Sequence, residues 1–333
     1  MGRSNEMAST TITRSISLNT TPKGEPQRGH FATHEQLVPE PAQGELRIKT
    51  LLVSVDPYLV MAIRSGAFPA GRIKSRVIGR VEDSRAEGFV PGDLVLGFAH
   101  WQEHDCVAAS DMRLLHPKAP LTAYLGIAGH SGFTAMLGMS LLDPQPGQTL
   151  IVSSAGGMVG LVACQLAKAV GAYVVAIAGG DKATHVARLY GLSAGVDYNA
   201  ADFTDQLAAA CPHGIDRHFE NVGANILDPV LGLANEGARV ALCGLIQHYG
   251  NDDPVALTHF RQILKKSVSV LPFSIYRHEA EYPAALERLE EMVLSGALHA
   301  PETIHEGFES LPDAFLAMLA GDGIGKHVVK LSE

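Results

Sequence analysis

The pattern of apolar and polar positions changes character near residue 122. Before it, short apolar runs alternate with polar positions between glycine and proline turns, and strands are predicted at 45–51, 77–81 and 94–98. After it, apolar runs alternate with stretches of helical spacing, and the predicted strands are 150–153, 174–178, 195–198, 216–220, 238–243 and 268–273. Alternating strands and helices indicate a parallel sheet with helices on both faces.

These patterns predict an α/β fold with a doubly wound parallel sheet of the Rossmann type and a β-rich second domain. The predicted division is 1–121 for the β-rich substrate or catalytic domain, 122–298 for the sheet-and-helix domain and 299–333 for a C-terminal return to the first domain. Helices at 283–294 and 311–320 and a strand at 325–331 are expected in the last part of the chain.

The most informative motif is the turn after the strand at 150–152. Ala155, Gly157 and Gly160 form A-x-G-x-x-G, with alanine at the first glycine position of the usual fingerprint, and a helix is predicted at 159–170. Gly157 lets the backbone approach a pyrophosphate at the helix N-terminus, and Gly160 lets the helix lie close to the strand. The motif therefore predicts a dinucleotide site, and close helix packing without a ligand is the alternative.

The end of the next strand is the position that distinguishes NADP from NAD. The strand closes with a glycine pair ending at Gly180, which leaves room for a 2′-phosphate, and Lys182, His185 and Arg188 supply positive charge nearby. Asp181 opposes this, because a carboxylate repels a phosphate. The balance favours NADP (NADPH) over NAD, and solvated helix positions are the alternative for these cations.

Composition narrows the class of protein. The 333 residues are 46% hydrophobic and 18% charged, with a net charge of −9, which is typical of a globular protein rather than a disordered one. The acidic balance argues against nucleic acid and anionic membranes as partners, and no apolar run reaches the roughly 18–20 residues that span a bilayer.

Two further features concern location in the cell. The four cysteines form no C-x-x-C pair, and residues 1–21 are polar without a secretory signal, so a cytoplasmic protein is expected. Met7 is an alternative start, which leaves open whether residues 1–6 belong to the native protein.

Five segments resemble one group of enzymes. They are S-V-D-P-Y at 54–58, G-F-T-A at 132–135, F-E-N-V-G at 219–223, A-R-V-A-L-C-G-L-I at 238–246 with Tyr249, and G-D-G-I-G-K at 321–326. Together with a Pro-Gly-Asp turn at 91–93, they make the chain similar to the medium-chain dehydrogenase/reductase superfamily over nearly its whole length. Within it, the chain resembles the zinc-free leukotriene B4 dehydrogenase and prostaglandin reductase group, which are NADPH-dependent alkenal/one double-bond reductases.

The resemblance implies a GroES-like fold for the β-rich domain and a set of cofactor contacts. The implied cofactor-binding residues are Thr134, Ala155, Gly156, Gly157, Met158, Val159, Gly180, Lys182, Tyr198, Asn221, Cys243, Gly244, Leu245, Ile246, Tyr249, Phe273, Ser274, Ile275 and Gly323. Of these, Tyr198 matches a tyrosine near the 2′-phosphate, and Asn221 matches an asparagine near the nicotinamide ribose.

The sequence departs from the group's pattern at the cofactor and at the substrate mouth. Ala183 stands where a lysine is usual, and Gly323 stands where an asparagine is usual. Tyr58 is followed by Leu-Val in place of Met-Arg, which puts the substrate class in question. His130 and His248 are less usual residues and are candidates for serving a different substrate.

No metal is expected. The Cys, His-Glu and further ligand of a catalytic zinc are missing from the sequence, and so is a four-cysteine lobe. His100 and His104 have the spacing of two ligands, but the segment is predicted as strand and loop rather than helix. Trp101 between them is expected at the edge of the substrate cleft or in the core.

Without a metal, the favoured reaction is reduction of the double bond of an α,β-unsaturated carbonyl by hydride transfer to its β-carbon. The charge that develops on the carbonyl oxygen needs a hydrogen-bond donor, and Tyr58 and Tyr249 are the candidate catalytic residues. The alternatives are a zinc-free quinone reductase or biosynthetic redox enzyme on the same scaffold, and a non-catalytic nucleotide-binding protein. A homodimer is implied by the resemblance only.

Overall fold

The computed structural model describes residues 12–331. The hypothesis that Met7 is an alternative start concerns residues outside this range. The expectation that residues 1–21 hold no secretory signal concerns a segment that is described only from residue 12 onward. The described chain forms two units, one of residues 12–117, 304–319 and 327–331 and one of residues 118–303 and 320–326. No helix in the described range is long and apolar enough to cross a membrane.

The elements are numbered in chain order over the described residues. The strands are β1 (Ile12–Leu18), β2 (Phe31–Leu37), β3 (Glu45–Ser54), β4 (Lys74–Ser84), β5 (Leu94–His100), β6 (His104–Ala108), β7 (Met112–Leu114), β8 (Thr149–Val152), β9 (Tyr173–Ala178), β10 (Ala194–Asp197), β11 (Ile215–Glu220), β12 (Ala234–Leu242), β13 (Ser269–Pro272), β14 (Glu302–Glu306) and β15 (Lys326–Lys330). The α-helices are α1 (Leu59–Arg64), α2 (His130–Leu142), α3 (Met158–Ala169), α4 (Lys182–Tyr190), α5 (Phe203–Ala210), α6 (Ala224–Leu233), α7 (Arg261–Lys265), α8 (Tyr282–Leu294) and α9 (Leu311–Leu319).

The first unit is β-rich. Its main sheet has the strand order β14-β15-β3-β4-β5-β7, with β6 also paired to β3, and β1 and β2 form an antiparallel pair. Trp101 is fully buried in this unit, where it lies between Phe31 and Phe315 with ring centroids 6.0 Å away in both cases. Its indole N–H donates to Ser75 Oγ (3.0 Å), so Trp101 is a core residue rather than the edge of a cleft.

The second unit contains a parallel sheet in the order β10-β9-β8-β11-β12-β13. The chain runs outward from β8 to β10 on one side, then returns to the centre and runs outward from β11 to β13 on the other. The direction of winding therefore changes between β8 and β11, and ligands bind at such a point, outside the carboxyl ends of the strands.

Helices cover both faces of this sheet. On one face α5 and α6 bury a cluster that includes Ile151, Ile177, Phe203, Leu207 and Ile226. On the other face α2 and α3 contact the central strands. Because both faces are buried, β8 (T-L-I-V) and β9 (Y-V-V-A-I-A) are nearly continuous apolar runs rather than alternating ones, and β8 is buried at every position.

The predicted α/β fold, with its parallel sheet and β-rich N-terminal part, is confirmed. The predicted strands agree with the observed ones within a few residues, and the largest difference is β12, which begins at Ala234 rather than 238. The added residues lie in a polar stretch around Glu236 and Gly237, where no apolar pattern indicates a strand. The division of the chain at 121/122 and 298/299 stays a prediction.

The start of α3 depends on the absence of a side chain at Gly160. A Cβ built there would lie 2.4 Å from the Ser154 carbonyl oxygen and 2.7 Å from Ala155 Cα, both of them backbone atoms. A Cβ built on Gly156, in the same turn, would meet only the Lys182 side chain, at 3.8 Å.

We therefore expect Gly160→Ala to destabilise the protein by about 1–3 kcal/mol, despite a gain of about 1 kcal/mol in helix propensity. Gly156→Ala is the matched control and should unfold close to the wild type. Denaturant unfolding of the three proteins without ligand measures the difference, and equal midpoints for Gly160→Ala and the wild type would contradict the close approach.

Candidate cofactor-binding site

The turn between β8 and α3 has the geometry of a phosphate-binding turn. Ala155 is fully buried and its N–H donates to the Ile177 carbonyl (2.9 Å), which anchors the turn to β9. Gly157 precedes α3 with extended backbone, and its N–H donates to the Ser154 carbonyl (3.0 Å). The helix begins at Met158 and Val159, and the N–H groups of such a first turn have no acceptor within their own helix.

Space is open above this turn. A Cβ on Gly157 would have no neighbour closer than 3.5 Å, and one on Gly180 would have none within 4 Å. An open glycine backbone beside a helix N-terminus suits a pyrophosphate, because N–H groups and the positive end of the helix dipole meet there.

The end of β9 has a glycine pair with a tyrosine beside it. Gly180 has a φ of +59°, and its N–H donates to Asp197 Oδ1 (2.6 Å) at the end of β10. The hydroxyl of Tyr198 would lie 3.1 Å from a Cβ on Gly179, so a larger residue there would displace the ring. The structure thus brings Tyr198 against the glycine pair at Gly179, and the role of this pair toward a 2′-phosphate stays a prediction.

Lys182 joins this region to the phosphate turn. It is the first residue of α4 and is partly exposed, whereas Ala183 is fully buried. The Lys182 Cδ is the nearest atom to a Cβ built on Gly156, and its Nζ lies 3.9 Å from one built on Gly321. Lys182, which stands one position before the lysine that is usual in the group, therefore lies between the Gly156 turn and the Gly321 segment.

The segment that contains Gly323 also lies at the phosphate turn. The Gly325 N–H donates to the Gly156 carbonyl (2.8 Å), and Gly325 forms an isolated parallel bridge with Gly157. Gly323 itself is exposed with a φ of +74°. A residue at 323 is thus held close to the turn, although glycine offers no side chain to a ligand.

Asn221 lies at the change of winding direction, where it is bound to the end of β8. Its backbone N–H donates to Ser153 Oγ (2.7 Å) and its side-chain Nδ2 donates to the Ser153 carbonyl (2.8 Å). Ser153 is fully buried, and its own N–H donates to the Phe219 carbonyl (3.1 Å). The side-chain amide of Asn221 therefore has a fixed orientation.

The loop after β12 is bound to the same segment. The Cys243 N–H donates to the Glu220 carbonyl (2.9 Å), and the Ile246 N–H donates to the Asn221 carbonyl (3.1 Å). Tyr249 folds back over Gly244, and its hydroxyl accepts the Leu245 N–H (3.3 Å).

Phe273, Ser274 and Ile275 follow β13 at the carboxyl edge of the sheet. The Phe273 ring packs edge-on against Phe219, with centroids 6.3 Å apart. Thr134 lies in α2, where its hydroxyl donates to the His130 carbonyl (2.8 Å). The hydroxyl of Thr134 is thus engaged in its own helix.

Burial affects two ionisable groups in the loop after β12. It raises the pKa of Tyr249, so the phenol is protonated at neutral pH and is a hydrogen-bond donor rather than a base. Burial, with the Glu220 charge adding to it, raises the pKa of the Cys243 thiol to about 12. Cys243 therefore contributes a neutral thiol to the site and no reactive thiolate.

Two ionisable residues in β11 were not among the predicted site residues. His218 and Glu220 are both buried, and they pair with each other through His218 Nε2 and Glu220 Oε2. The sequence carries a signal for this pair, namely two ionisable residues at i and i+2 in a predicted buried strand. Such residues are rarely buried unless they are paired, so this spacing indicates that the two side chains bind each other.

Tyr58 belongs to the first unit, where it lies half-buried between β3 and α1. Just before it, Ser54 Oγ hydrogen-bonds the Asp56 carboxylate. That Tyr58 and Tyr249 are catalytic residues stays a prediction.

His100 and His104 each have a carboxylate partner of their own. His100 Nδ1 lies 2.8 Å from Asp105 Oδ2, and His104 Nδ1 lies 2.9 Å from Glu82 Oε2. Over residues 12–331, no group of three or more His, Cys, Asp or Glu side chains is arranged to hold a metal ion.

These loops form one row at the carboxyl edge of the parallel sheet. The row combines an open glycine turn at a helix N-terminus, a glycine pair with a lysine and a tyrosine, and a fixed asparagine. An elongated ligand with a phosphate at its centre and polar groups at both ends fits this arrangement, as a nicotinamide dinucleotide does.

Two family descriptions match the chain: zinc-binding dehydrogenase over residues 158–291, and the N-terminal domain of oxidoreductase over residues 14–115. The NADPH-dependent curcumin reductase of Escherichia coli is 33% identical over 95% of this chain and 96% of its own length. The 2-alkenal reductase (NADP(+)-dependent) of Nicotiana tabacum is 32% identical over 89% of each chain.

A solved structure agrees with these matches. CurA from Vibrio vulnificus, which has also been solved in complex with NADPH, is 32% identical over 96% of this chain and 99% of its own, with a TM-score of 0.88. The chain belongs to the medium-chain dehydrogenase/reductase superfamily. Within it, the chain is one of the NADP-dependent oxidoreductases, as the resemblance in the sequence predicted. The predicted cofactor, NADPH, is the one named for these relatives.

Proposed function

We propose that this protein uses NADPH to reduce the carbon–carbon double bond of α,β-unsaturated carbonyl compounds, with 2-alkenals and enones as the substrate class. The observation that carries the proposal is the row of loops at the carboxyl edge of the parallel sheet, with Lys182 between the phosphate turn and the Gly321 segment. The named activities of the relatives support the substrate class.

The cofactor-binding residues divide by the part of NADPH that each would hold. The turn from Ala155 to Val159 takes the pyrophosphate. Gly180, Lys182 and Tyr198 take the 2′-phosphate, since the end of the second strand is where the ribose is recognised. Asn221 and the loop from Cys243 to Tyr249 take the nicotinamide side, together with Thr134 and the segment from Phe273 to Ile275. Gly323 lets the segment from 321 to 326 adopt a positive φ beside the cofactor.

When bound, NADPH supplies the hydride for the β-carbon of the substrate. The protein's own task is then to stabilise the negative charge that moves to the carbonyl oxygen, which requires a donor already in position. Tyr249 is protonated at neutral pH and can donate. Tyr58 is the second candidate donor. A proton from a tyrosine or from water completes the saturated carbonyl at the α-carbon.

The first test is oxidation of NADPH and, separately, NADH with a panel of 2-alkenals, enones and quinones. We expect NADPH to be oxidised with an alkenal or enone and the product to be the saturated carbonyl, identified by mass spectrometry. Oxidation with quinones alone would favour a quinone reductase. NADPH binding without turnover of any acceptor would favour a non-catalytic protein.

The second test concerns Lys182. Lys182→Ala should weaken NADPH binding by about tenfold and NADH binding much less, because one charge-assisted contact to a phosphate is lost. Lys265→Ala is the matched control, since Lys265 is an exposed cation on α7 and was not among the predicted site residues. Cofactor fluorescence titrations measure both. Equal losses for NADPH and NADH would assign Lys182 to the shared pyrophosphate instead.

The third test compares the two tyrosines. Tyr58→Phe should lower kcat by at least about tenfold with KM for NADPH unchanged, because a donor to the developing oxyanion is removed. Tyr249→Phe should also raise KM for NADPH, because the hydroxyl holds the Leu245 backbone. Steady-state kinetics with a 2-alkenal give both values, and an unchanged kcat/KM would remove Tyr58 from this role.

A homodimer stays a prediction from the resemblance. Among residues 12–331, β13 is the last strand on its side of the sheet. Phe260, at the start of the preceding helix, and Leu264, within that helix, are exposed. An unpaired edge with exposed apolar side chains is suited to pairing with a second copy. The molar mass in solution decides the question.

A further inference from the structure

The carboxylate of Glu220 has hydrogen-bond partners on both oxygens, although it is fully buried at the end of β11. Oε2 pairs with His218 Nε2, and Oε1 accepts the backbone N–H groups of Val222 and of Gly223, the latter at 2.6 Å. One side chain therefore connects a strand to the loop that follows it.

The His218–Glu220 pair lies at the junction between β8 and β11, and this position bears on its role. Residues two apart on a strand point to the same face, so His218 and Glu220 meet without distorting β11. The His218 Nδ1 also lies 3.4 Å from the Ile151 carbonyl on β8. The pair thus spans the point between β8 and β11 where the direction of winding changes. A buried imidazole–carboxyl pair adds little net stability compared with apolar residues, so its placement needs another reason.

The far side of the same loop is also restrained. Gly223 has a φ of +130°, and a Cβ there would lie 2.7 Å from His248 Cδ2 and 2.8 Å from His248 Nε2. Both ring nitrogens of His248 are buried, and no hydrogen-bond partner for either is found among residues 12–331. The imidazole therefore acts on the loop by filling space. Gly223 is held between the Glu220 carboxylate and the His248 ring.

We propose that His218 and Glu220 are positioning residues that hold the segment from Asn221 to Gly223 in the conformation that binds the nicotinamide half of NADPH. The proposal rests on the proposed function, since it takes NADPH as the ligand. Glu220 acts through the backbone of Val222 and Gly223, and His218 acts by orienting Glu220 through the hydrogen bond to its Oε2. Ser153 completes the restraint by binding Asn221 on both its backbone and its side chain.

The test is a direct NADPH titration by fluorescence on four variants. Glu220→Gln replaces one carboxyl oxygen by an amide N–H₂, which cannot accept a hydrogen bond, and His218→Phe leaves the carboxyl group without its partner. Both should weaken NADPH binding by about tenfold or more, because hydrogen bonds that hold the loop are lost. His218→Gln keeps an N–H donor and should restore affinity to within about threefold of the wild type. With NADPH saturating, KM for the carbonyl substrate should stay within about twofold in all three.

Gly223→Ala alters the same loop without changing the buried pair, and it keeps the test available if Glu220→Gln does not fold. It should also weaken NADPH binding by about tenfold, because the methyl group collides with His248 and the φ is unfavourable. Wild-type NADPH affinity in Gly223→Ala would contradict the restraint of the loop.

The matched control is Tyr124→Phe. Tyr124 donates to Glu290, a buried carboxylate of the same unit that lies on α8 rather than at the sheet edge. This variant should lose stability in thermal unfolding while its affinity for NADPH stays within about twofold. If Glu220→Gln and His218→Phe behaved like this control, losing stability but not affinity, the pair would be structural only and the proposal wrong.

The same measurements separate this proposal from the proposed function. Turnover does not enter the titrations, so a wild type that binds NADPH but reduces no unsaturated carbonyl overturns the substrate class and leaves the positioning role to be judged by the variants. A wild type that does not bind NADPH overturns both.

Discussion

The second unit depends on the junction between β8 and β11. These two strands are the centre of a sheet whose halves wind in opposite directions, so the loops after them diverge and leave room for a ligand. Ser153 keeps the junction closed on the inside, because its backbone and hydroxyl bind Phe219 and Asn221. Through this link, Ser153 fixes the position of the Asn221 segment relative to the phosphate turn that follows Ser153.

Glu220 shows how a carboxyl group is retained in the interior of the sheet. A buried carboxyl group is costly unless its oxygens are hydrogen-bonded, and here an imidazole and two backbone N–H groups do this. The same hydrogen bonds restrain the loop after β11, because both N–H groups belong to that loop. The geometry of Asn221 follows from that of its neighbour.

The departures from the family pattern become intelligible in the structure. Lys182 stands one position before the usual lysine, yet its stem lies by Gly156 and its ammonium group by Gly321. The flexible four-carbon side chain of Lys182 lets its ammonium group reach the region between Gly156 and Gly321. Ala183, at the usual lysine position, is buried and apolar. At Gly323 the side chain of the usual asparagine is missing, and glycine has no side chain that could replace its contact.

The sequence by itself determined the class of fold and predicted the cofactor half of the site. Apolar runs separated by helical stretches indicate a covered parallel sheet, and Ala155, Gly157 and Gly160 predict the phosphate turn because a close backbone approach tolerates only small residues. Local patterns of this kind are encoded within about a dozen residues, so they can be recognised without tertiary contacts.

Only the tertiary structure decided how distant segments combine. The pairing of His218 with Glu220, the contact of His248 with Gly223 and the place of Lys182 between Gly156 and Gly321 join residues through side-chain rotamers and loop paths. Trp101, which the sequence left between cleft edge and core, is buried by Phe31 and Phe315 from remote parts of the chain. Such contacts have no periodicity in the sequence, because they arise when the packed sheet brings the ends of separate strands to one edge.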